Sequence, residues 1–301
     1  TSSQVTRGEW EVVSMKGIEE SKNLVYFIST EISSMDRNLF VVQFNGESKI
    51  NLTPEKGWHD IDFSSGFEYF MDKYSVLNTP PVYTIKNNQG NLIRTLKDNA
   101  TLKKKMNEYD LSGVSMIQVP NDEGILLNGW ILKPSGFSPA KKYPLLMFQY
   151  SGPGSQSVMN QYGIRDYWWY QLLAEKGYII VCVDGTGTGF RGESFKKQTY
   201  LQLGKLESDD QIAVAKYFAK QPYIDASRIG IWGWSYGGFM SSICLAKGAD
   251  VFKSAIAVAP VTNWRYYDNI YTERYMRTPQ ENANGYDDNS PVNMVNQLKG
   301  N

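Results

Sequence analysis

A serine lies between glycines in the segment Gly233–Gly238, which reads Gly-Trp-Ser-Tyr-Gly-Gly. An apolar segment, Ile229–Trp232, comes directly before it, and a run of small and apolar residues, Gly237–Ala246, overlaps its end. Gly-x-Ser-x-Gly between a buried strand and a helix predicts a nucleophile elbow, a sharp turn that presents the serine at the carboxyl end of a sheet. We therefore expect Ser235 to attack the carbonyl carbon of a substrate and the backbone N–H of Tyr236 to donate to the oxyanion. The alternative is a glycine-rich turn with an incidental serine.

A serine nucleophile needs a base, and that base needs an acid that orients it. The single histidine, His59, precedes Ser235, although the order in such folds is serine, acid, histidine. We interpret His59 as a surface or turn residue at the start of a strand. Four acids follow the serine, but none comes after an apolar strand as a triad acid should; they are Asp250, Asp268, Asp287 and Asp288. The triad Asp and His are therefore expected beyond residue 301, and the 301-residue chain alone is expected to be inactive.

The composition is that of a globular protein, with 301 residues of which 42% are hydrophobic and 14% aromatic. That length allows two domains or parts of them. Because 31 basic residues balance 31 acidic ones, we expect no nucleic-acid or anionic-membrane partner. No apolar window is long enough for a membrane span, and the start without a leader indicates a mature product or an excised piece. Cys182 and Cys244 lie in apolar runs, which predicts buried free thiols, and no metal or organic cofactor is expected.

Residues 8 to about 100 predict an antiparallel meander without helices. Short segments of alternating or β-branched and aromatic residues recur between turn signals such as Asn45-Gly46 and Asn78–Pro81. Six strands are predicted, at Glu9–Met15, Leu24–Thr30, Asn38–Phe44, His59–Phe63, Phe67–Lys73 and Val82–Lys86. They suit a sandwich or propeller blades equally well, and they are too few to close a propeller.

The pattern changes near residue 108, after the helix-compatible segment Thr101–Asn107. Apolar strands then alternate with helical segments, which indicates a mostly parallel sheet with helices on both faces. The predicted strands are Val114–Val119, Ile125–Leu132, Pro144–Tyr150, Tyr178–Val183, Arg228–Trp232 and Ala255–Val258, and the predicted helices are Arg165–Glu175, Ser208–Lys220 and one from Ser235. The predicted fold class is therefore α/β, with domains at residues 1–108 and 109–301.

Several motifs together resemble the prolyl oligopeptidase family of serine peptidases, and within it the dipeptidyl peptidases. They are Trp232–Gly238, Ala259–Val261, Trp264–Asp268 and Tyr271–Met276, and the resemblance extends to Trp10–Val13, Leu24–Ser29 and Lys142–Leu146. It implies the last blades of a β-propeller followed by an incomplete α/β-hydrolase domain, which ends before the triad acid and base. It also implies a homodimer and a secreted or periplasmic location.

The resemblance assigns roles to aromatic residues. Tyr150 matches the tyrosine whose hydroxyl is the second oxyanion donor, whereas the residue type alone would indicate an ordinary aromatic at a strand end. The wall of a proline pocket would consist of Tyr236, Val261, Trp264, Tyr267 and Tyr271. The four-residue spacing from Tyr267 to Tyr271 would place both on one face of a helix, but without the resemblance core packing is the simpler interpretation.

Two further segments receive no functional role. Glu19-Glu20 lacks the context of the family's amine-binding glutamates, so that role is not transferred to it. The segment Asp184–Gly189 follows a strand, as a nucleotide-binding loop does, but it corresponds to a glycine-rich loop of the family, and we expect no nucleotide.

Three hypotheses about function remain open. The first is a serine exopeptidase that releases Xaa-Pro or Xaa-Ala dipeptides from peptide N-termini through an acyl-enzyme. The second keeps the family but changes the cut, as in a prolyl endopeptidase, a tripeptidyl peptidase or an acyl-peptide hydrolase. The third is a non-catalytic scaffold on the same fold.

Overall fold

The computed structural model describes residues 3–301, which form two compact units. Unit 1 comprises the described residues up to Leu111 together with Met159–Arg165 and Phe190–Glu193. Unit 2 comprises Ser112–Val158, Asp166–Gly189 and Ser194–Asn301. Two short segments of the later chain therefore belong to unit 1.

Unit 1 contains two four-stranded antiparallel sheets, each with its strands in chain order. The first sheet consists of β1 (Val12–Glu19), β2 (Leu24–Ser29), β3 (Asn38–Gln43) and β4 (Ile50–Asn51). The second consists of β5 (Trp58–Phe63), β6 (Tyr69–Val76), β7 (Thr79–Asn87) and β8 (Leu92–Lys97), and helix α1 (Ala100–Met106) follows. Because side chains alternate across each strand, each sheet can bury one face against the other. The shared core contains Tyr26, Ile28, Leu39, Val41, Leu52, Ile61 and Phe70.

All six predicted strands of this region are present, and β4 and β8 are additional. Strand β8 is exposed along its whole length, so its sequence carries no buried alternation that could have predicted it. The predicted turn at Asn78–Pro81 is wrong in part, because β7 begins at Thr79 and contains both prolines. Pro80 and Pro81 lie opposite a register shift in β6 and before the pairing with β8 begins, where a strand tolerates a missing N–H donor.

His59 is not the surface or turn residue that the sequence predicted. It lies in β5 with 2% of its surface exposed. Its Nδ1 is 2.9 Å from Asp72 Oδ2, and its Nε2 is 3.1 Å from the carbonyl oxygen of Glu55. The Nζ of Lys86 is 3.1 Å from the same carboxylate oxygen of Asp72. The prediction failed because Asp72 and Lys86 belong to the neighbouring strands β6 and β7, and only the strand pairing brings them close to His59.

Unit 2 is built on one six-stranded sheet. Its strands are β9 (Val114–Pro120), β10 (Leu126–Leu132), β11 (Tyr143–Phe148), β12 (Ile179–Asp184), β13 (Ile224–Trp234) and β14 (Ser254–Val258). Their spatial order is β14-β13-β11-β12-β10-β9. The four strands from β12 to β14 in this order are parallel, whereas β10 runs antiparallel to both β12 and β9.

The helices of unit 2 cover both faces of this sheet. They are α2 (Tyr167–Glu175), α3 (Glu193–Lys196), α4 (Lys205–Ala219), α5 (Tyr236–Lys247), α6 (Asn269–Met276) and α7 (Ala283–Asp288). On one face, the rings of Trp169 and Tyr170 in α2 contact that of Trp232 in β13. On the other face, the main core joins α4 and α5 to the sheet through residues such as Phe218, Phe239 and Ile231. The prediction of helices on both faces is therefore confirmed.

Both cysteines are buried free thiols, as predicted. Burial raises the pKa of Cys182 and that of Cys244, so neither thiol is an activated nucleophile.

Candidate active site

Ser235 occupies the turn between β13 and α5. Its backbone has a φ of 59° and a ψ of −114°, a strained combination for a residue with a side chain. Its N–H donates to the carbonyl oxygen of Val258 at 2.9 Å, and its own carbonyl oxygen accepts from Phe239 N at 3.0 Å. The strained turn is thus held by the next strand on one side and by the first turn of α5 on the other. The N–H of Tyr236 is one of the donors that the start of this helix leaves without an intrahelical partner.

The glycines of the elbow are required by close approach of the backbone. A Cβ atom at Gly233 would lie 2.5 Å from the carbonyl oxygen of Gln149 and 2.7 Å from the backbone of Gly237. A Cβ atom at Gly237 would also lie 2.5 Å from the Gln149 oxygen. Since these atoms belong to the backbone, they cannot rotate away, and only glycine lets β11, β13 and α5 meet here.

Gln149 ties the end of β11 to α5 through its side chain as well. It has no exposed surface, and its Nε2 donates to the carbonyl oxygen of Gly237 at 2.8 Å and to Ser241 Oγ at 3.2 Å. Its Oε1 accepts from Ser151 Oγ at 3.2 Å. These bonds fix the backbone on both sides of Tyr150 relative to the helix that follows Ser235. The sequence interpretation did not identify Gln149, since a single glutamine after an apolar strand gives no signal.

Tyr150 and Tyr236 lie side by side at this edge of the sheet. The centroids of their rings are 6.1 Å apart, with the ring of Tyr150 half-buried and that of Tyr236 almost fully buried. Burial, followed by the charge of Glu207, raises the pKa of the Tyr236 phenol well above its ordinary value. The phenol of Tyr236 therefore keeps its proton at neutral pH, and a protonated phenol is a hydrogen-bond donor.

The predicted pocket residues form one connected aromatic cluster. The ring of Trp264 is 5.5 Å from that of Tyr236 and 5.8 Å from that of Tyr271, on which it stacks. Tyr267 meets both Trp264 and Tyr271 edge to face, at 5.9 Å and 5.5 Å. Half-buried Val261 packs against the same core. Because Tyr267 is 43% exposed while Trp264 is only 1% exposed, the cluster runs from the surface into the core.

Side-chain caps explain the local fold of this cluster. The Oδ1 of Asn263 accepts from Arg265 N at 2.9 Å and starts the 3-10 turn Trp264–Tyr266. The Oδ1 of Asp268 accepts from Tyr271 N at 2.8 Å and caps α6. These caps set the directions in which Trp264 and Tyr271 leave the backbone.

Most of the acids considered as triad partners have structural roles. Asp268 is the helix cap just described, Asp250 pairs with Lys216 at 3.0 Å, and Asp287 pairs with Arg265. Asp288 is the last residue of α7. His59 belongs to unit 1, where acceptors face both of its ring nitrogens. Among residues 3–301, none forms a hydrogen bond to the Ser235 hydroxyl that could activate it.

Glu207 is a buried acid that the sequence interpretation missed. It is the third residue of α4, it has no exposed surface, and its Oε1 accepts from the Tyr236 hydroxyl at 2.6 Å. Its Oε2 accepts from Gly204 N at 3.0 Å. Burial raises the pKa of this carboxyl to about 7. A glutamate three residues after a glycine is a weak signal for a helix start, but nothing in the sequence indicated contact with Tyr236.

The glycine-rich segment Asp184–Gly189 packs beside the chain that follows Tyr150. The carboxylate of Asp184 accepts from Val158 N at 2.8 Å, and that of Asp210 accepts from Thr186 N at 2.6 Å. A Cβ atom at Gly189 would lie 2.6 Å from the carbonyl oxygen of Gly154. Close packing of two loops therefore explains the glycines of this segment.

Residues 3–301 contain no group of three or more His, Cys, Asp and Glu side chains placed to hold a metal ion. No helix in that range is long and apolar enough to span a membrane.

Comparison with known proteins matches both units to one family. The model of the prolyl oligopeptidase family matches residues 165–301, and that of the dipeptidyl peptidase IV N-terminal region matches residues 1–81. Among curated proteins, the chain is 41% identical over 303 residues to a probable dipeptidyl-aminopeptidase B of Phaeosphaeria nodorum, covering 99% of this chain and 33% of that protein. It is 42% identical over 301 residues to the same type of protein from Podospora anserina, covering 98% of this chain and 32% of the relative. The chain thus spans about a third of the length of the curated relatives that it matches.

Two solved structures are similar in fold. The dipeptidyl peptidase 4 of Porphyromonas gingivalis superposes with a TM-score of 0.92 at 43% identity, over 98% of this chain and 42% of that one. A putative dipeptidyl aminopeptidase IV of Bacteroides ovatus gives a TM-score of 0.90 at 29% identity, over 99% of this chain and 42% of the other. These matches confirm the expected fold class, in which antiparallel propeller sheets precede an α/β-hydrolase sheet. The chain belongs to the prolyl oligopeptidase family.

Proposed function

We propose that this chain contributes the nucleophile and the proline pocket of a serine exopeptidase that releases Xaa-Pro or Xaa-Ala dipeptides from peptide N-termini. The observation that carries the proposal is the direct continuity of the elbow and the aromatic cluster. Tyr236 follows the nucleophile Ser235 in the chain, and its ring is the first member of that cluster. The relatives, named dipeptidyl-aminopeptidase and dipeptidyl peptidase, support the same reaction class.

In the proposed reaction, Ser235 Oγ attacks the carbonyl carbon of the second residue of the substrate. The N–H of Tyr236 and the hydroxyl of Tyr150 donate to the oxygen on which negative charge develops. Collapse of the tetrahedral intermediate expels the rest of the peptide and leaves an acyl-enzyme, which water hydrolyses. The proton of Ser235 passes to a histidine base and from it to the nitrogen of the leaving peptide. That this base and its acid follow residue 301 stays a prediction.

The aromatic cluster explains why proline or alanine would precede the cut bond. A proline ring is flat, apolar and short, and it gains most from a pocket of closely set aromatic faces. Trp264 and Tyr271 stack within the cluster, while the exposed Tyr267 stands at its outer end. Alanine would occupy the same place with fewer contacts, and longer side chains would meet the rings.

The experiment is hydrolysis of a Gly-Pro anilide by the full-length protein and its Ser235→Ala variant. We expect the substitution to lower kcat/KM by roughly 10⁴-fold or more, because the covalent step is lost. Ser242→Ala is a matched control on the same helix, since Ser242 Oγ donates to the carbonyl oxygen of Gly238 at 3.0 Å and has no proposed role in the reaction. Turnover that survives Ser235→Ala would refute the proposal.

Two measurements separate this reaction from the alternatives. A blocked amino terminus abolishes cleavage by a dipeptidyl peptidase, whereas a prolyl endopeptidase or an acyl-peptide hydrolase still cleaves, and a tripeptidyl peptidase releases three residues at a time. A fluorophosphonate probe addresses the scaffold hypothesis, because a non-catalytic protein would not be labelled at Ser235.

We further propose that the full-length protein forms a homodimer and acts outside the cytoplasm, in a secreted or periplasmic location. Both statements are supported only by the family resemblance of the sequence. Sedimentation of the full-length protein tests the first, and cell fractionation tests the second.

A further inference from the structure

We propose that Glu207 is a positioning residue for the pocket, which holds the ring of Tyr236 through its phenol and thereby sets the preference for proline over alanine at the second substrate position. This inference rests on the proposed function. It assigns a role to a residue that touches neither the nucleophile nor the substrate.

The position of Glu207 is fixed at the junction of two helices. Its Oε2 accepts from Gly204 N at 3.0 Å, which closes the first turn of α4. Gly204 has a φ of 92°, and a Cβ atom there would lie 2.6 Å from the ring of Phe239 in α5. Because the start of α4 packs this closely on α5, the carboxyl group has little freedom to follow Tyr236 if the ring moves.

Tyr236 has two functions in the proposed site, and Glu207 bears on both. Its N–H is the proposed oxyanion donor, and its ring contacts those of Tyr150 and Trp264. The phenol is buried with the rest of the side chain, and a buried hydroxyl needs a partner. Within residues 3–301, the hydrogen bond to Glu207 is the one that satisfies it.

If the only role of Glu207 were to accept the hydrogen bond of Tyr236, a neutral acceptor would cost less free energy to bury. No ion pair in the described part of the chain includes Glu207, and the nearby carboxylate of Asp210 adds a like charge. Burial raises the pKa of Glu207 to about 7, so the site carries a titratable group in a dry environment. Such a cost is typical of sites where a polar group serves function.

If the ring of Tyr236 moves, its contacts with the neighbouring rings pass the movement on to the wall of the substrate pocket. The ring of Trp264 lies between those of Tyr236 and Tyr271, at 5.5 Å and 5.8 Å. If the phenol loses its anchor, the wall formed by these rings loosens. Proline fills the pocket with three methylene groups, whereas alanine offers one methyl group, so a looser wall weakens the proline substrate more.

The test compares Gly-Pro and Gly-Ala anilides in the full-length protein, with active sites counted by fluorophosphonate labelling. We expect Tyr236→Phe and Glu207→Leu to lower the proline-to-alanine ratio of kcat/KM by roughly fourfold, the effect of about one methylene group of lost packing. The change should come mainly from a higher KM for the proline substrate. Glu207→Gln keeps a carbonyl oxygen that accepts from the phenol, and it should keep the ratio within about twofold of the original.

Tyr286→Phe is the matched control for a buried tyrosine that loses a hydrogen bond. The hydroxyl of Tyr286 donates to the carbonyl oxygen of Arg277 at 2.6 Å, and the side chain is 1% exposed in the same core. It should leave the ratio unchanged.

The outcomes separate this inference from the proposed function. A labelled enzyme that cleaves both substrates, with an unchanged ratio in Tyr236→Phe, would overturn the inference alone. An equal shift in Tyr286→Phe would also overturn it, because general loosening would then be the cause. A protein that is neither labelled at Ser235 nor able to cleave either anilide would overturn the proposed function and this inference with it. If Glu207→Leu does not fold, Tyr236→Phe decides the question.

Discussion

The two units each bury a carboxylate, but they balance its charge in different ways. In unit 1, fully buried Asp72 faces His59 at 2.9 Å and Lys86 at 3.1 Å. In unit 2, fully buried Glu207 faces a tyrosine hydroxyl and a backbone N–H, and burial raises its pKa to about 7. Asp72 therefore has the ammonium group of Lys86 as a counter-ion, whereas Glu207 is relieved mainly by binding a proton.

This difference is informative about the role of each site. A buried acid paired with a cation serves the structure, since removal of the cation leaves an uncompensated charge. A buried acid without a cation can be replaced by a neutral residue with little loss of stability, unless its hydrogen bonds position a functional group. The second kind lies against Tyr236, next to the proposed nucleophile, whereas the first lies within a propeller sheet.

The largest expected effect is the loss of a counter-ion in unit 1. Lys86→Met should lower the free energy of unfolding by about 3–5 kcal/mol, because Asp72 keeps only His59 as a partner. Denaturant unfolding measures this effect. Lys216→Met is the control, since the exposed pair of Lys216 and Asp250 should contribute less than about 1 kcal/mol. Equal losses of unfolding free energy in the two variants would show that the buried ion pair contributes no more than the exposed one.

The next effect is the pH dependence that Glu207 gives to stability. Its pKa is raised from an ordinary value of 4.5 to about 7 in the folded state, so the folded protein binds the proton more tightly than the unfolded chain. The stabilising contribution is complete below about pH 4.5 and is lost as the pH rises to about 7. The total is on the order of 3 kcal/mol.

Glu207→Gln removes this contribution and leaves the other titrating groups in place. The free energy of unfolding of the original protein minus that of the variant should therefore fall between pH 4 and pH 8. Urea unfolding at several pH values within this range gives the difference. A difference that stays constant or rises with pH would show that Glu207 is not protonated by burial, and the contrast with Asp72 would then fail.

A smaller effect compares glycines of the two units. Gly237→Ala places a Cβ atom 2.5 Å from the carbonyl oxygen of Gln149, and overpacking of this kind costs about 2 kcal/mol. Gly66→Ala, in the turn between β5 and β6, meets no atom within 4 Å and should change stability by less than about 0.5 kcal/mol. Thermal unfolding of both variants tests whether the elbow is the tighter of the two turns. Similar shifts in Tm would contradict the close packing described at Ser235.

Much of the fold was accessible from local patterns. Strands such as β2 and β12 are short runs of β-branched and aromatic residues, and their predicted bounds lie within one residue of the observed ones. Strand β8 was missed because both of its faces are exposed. Local patterns succeed where one face of an element is buried, and they fail where it is not.

The candidate site divides in the same way. The elbow could be predicted from the chain alone, because Gly233, Ser235 and Gly237 act through the backbone conformation of five adjacent residues. Three contacts could not be predicted without the folded structure: the hydrogen bond from Tyr236 to Glu207, the bonds by which Gln149 holds β11 against α5, and the contact of His59 with Asp72. These contacts join residues that are 29, 88 and 13 positions apart, and each depends on burial and strand pairing that exist only after the chain has folded.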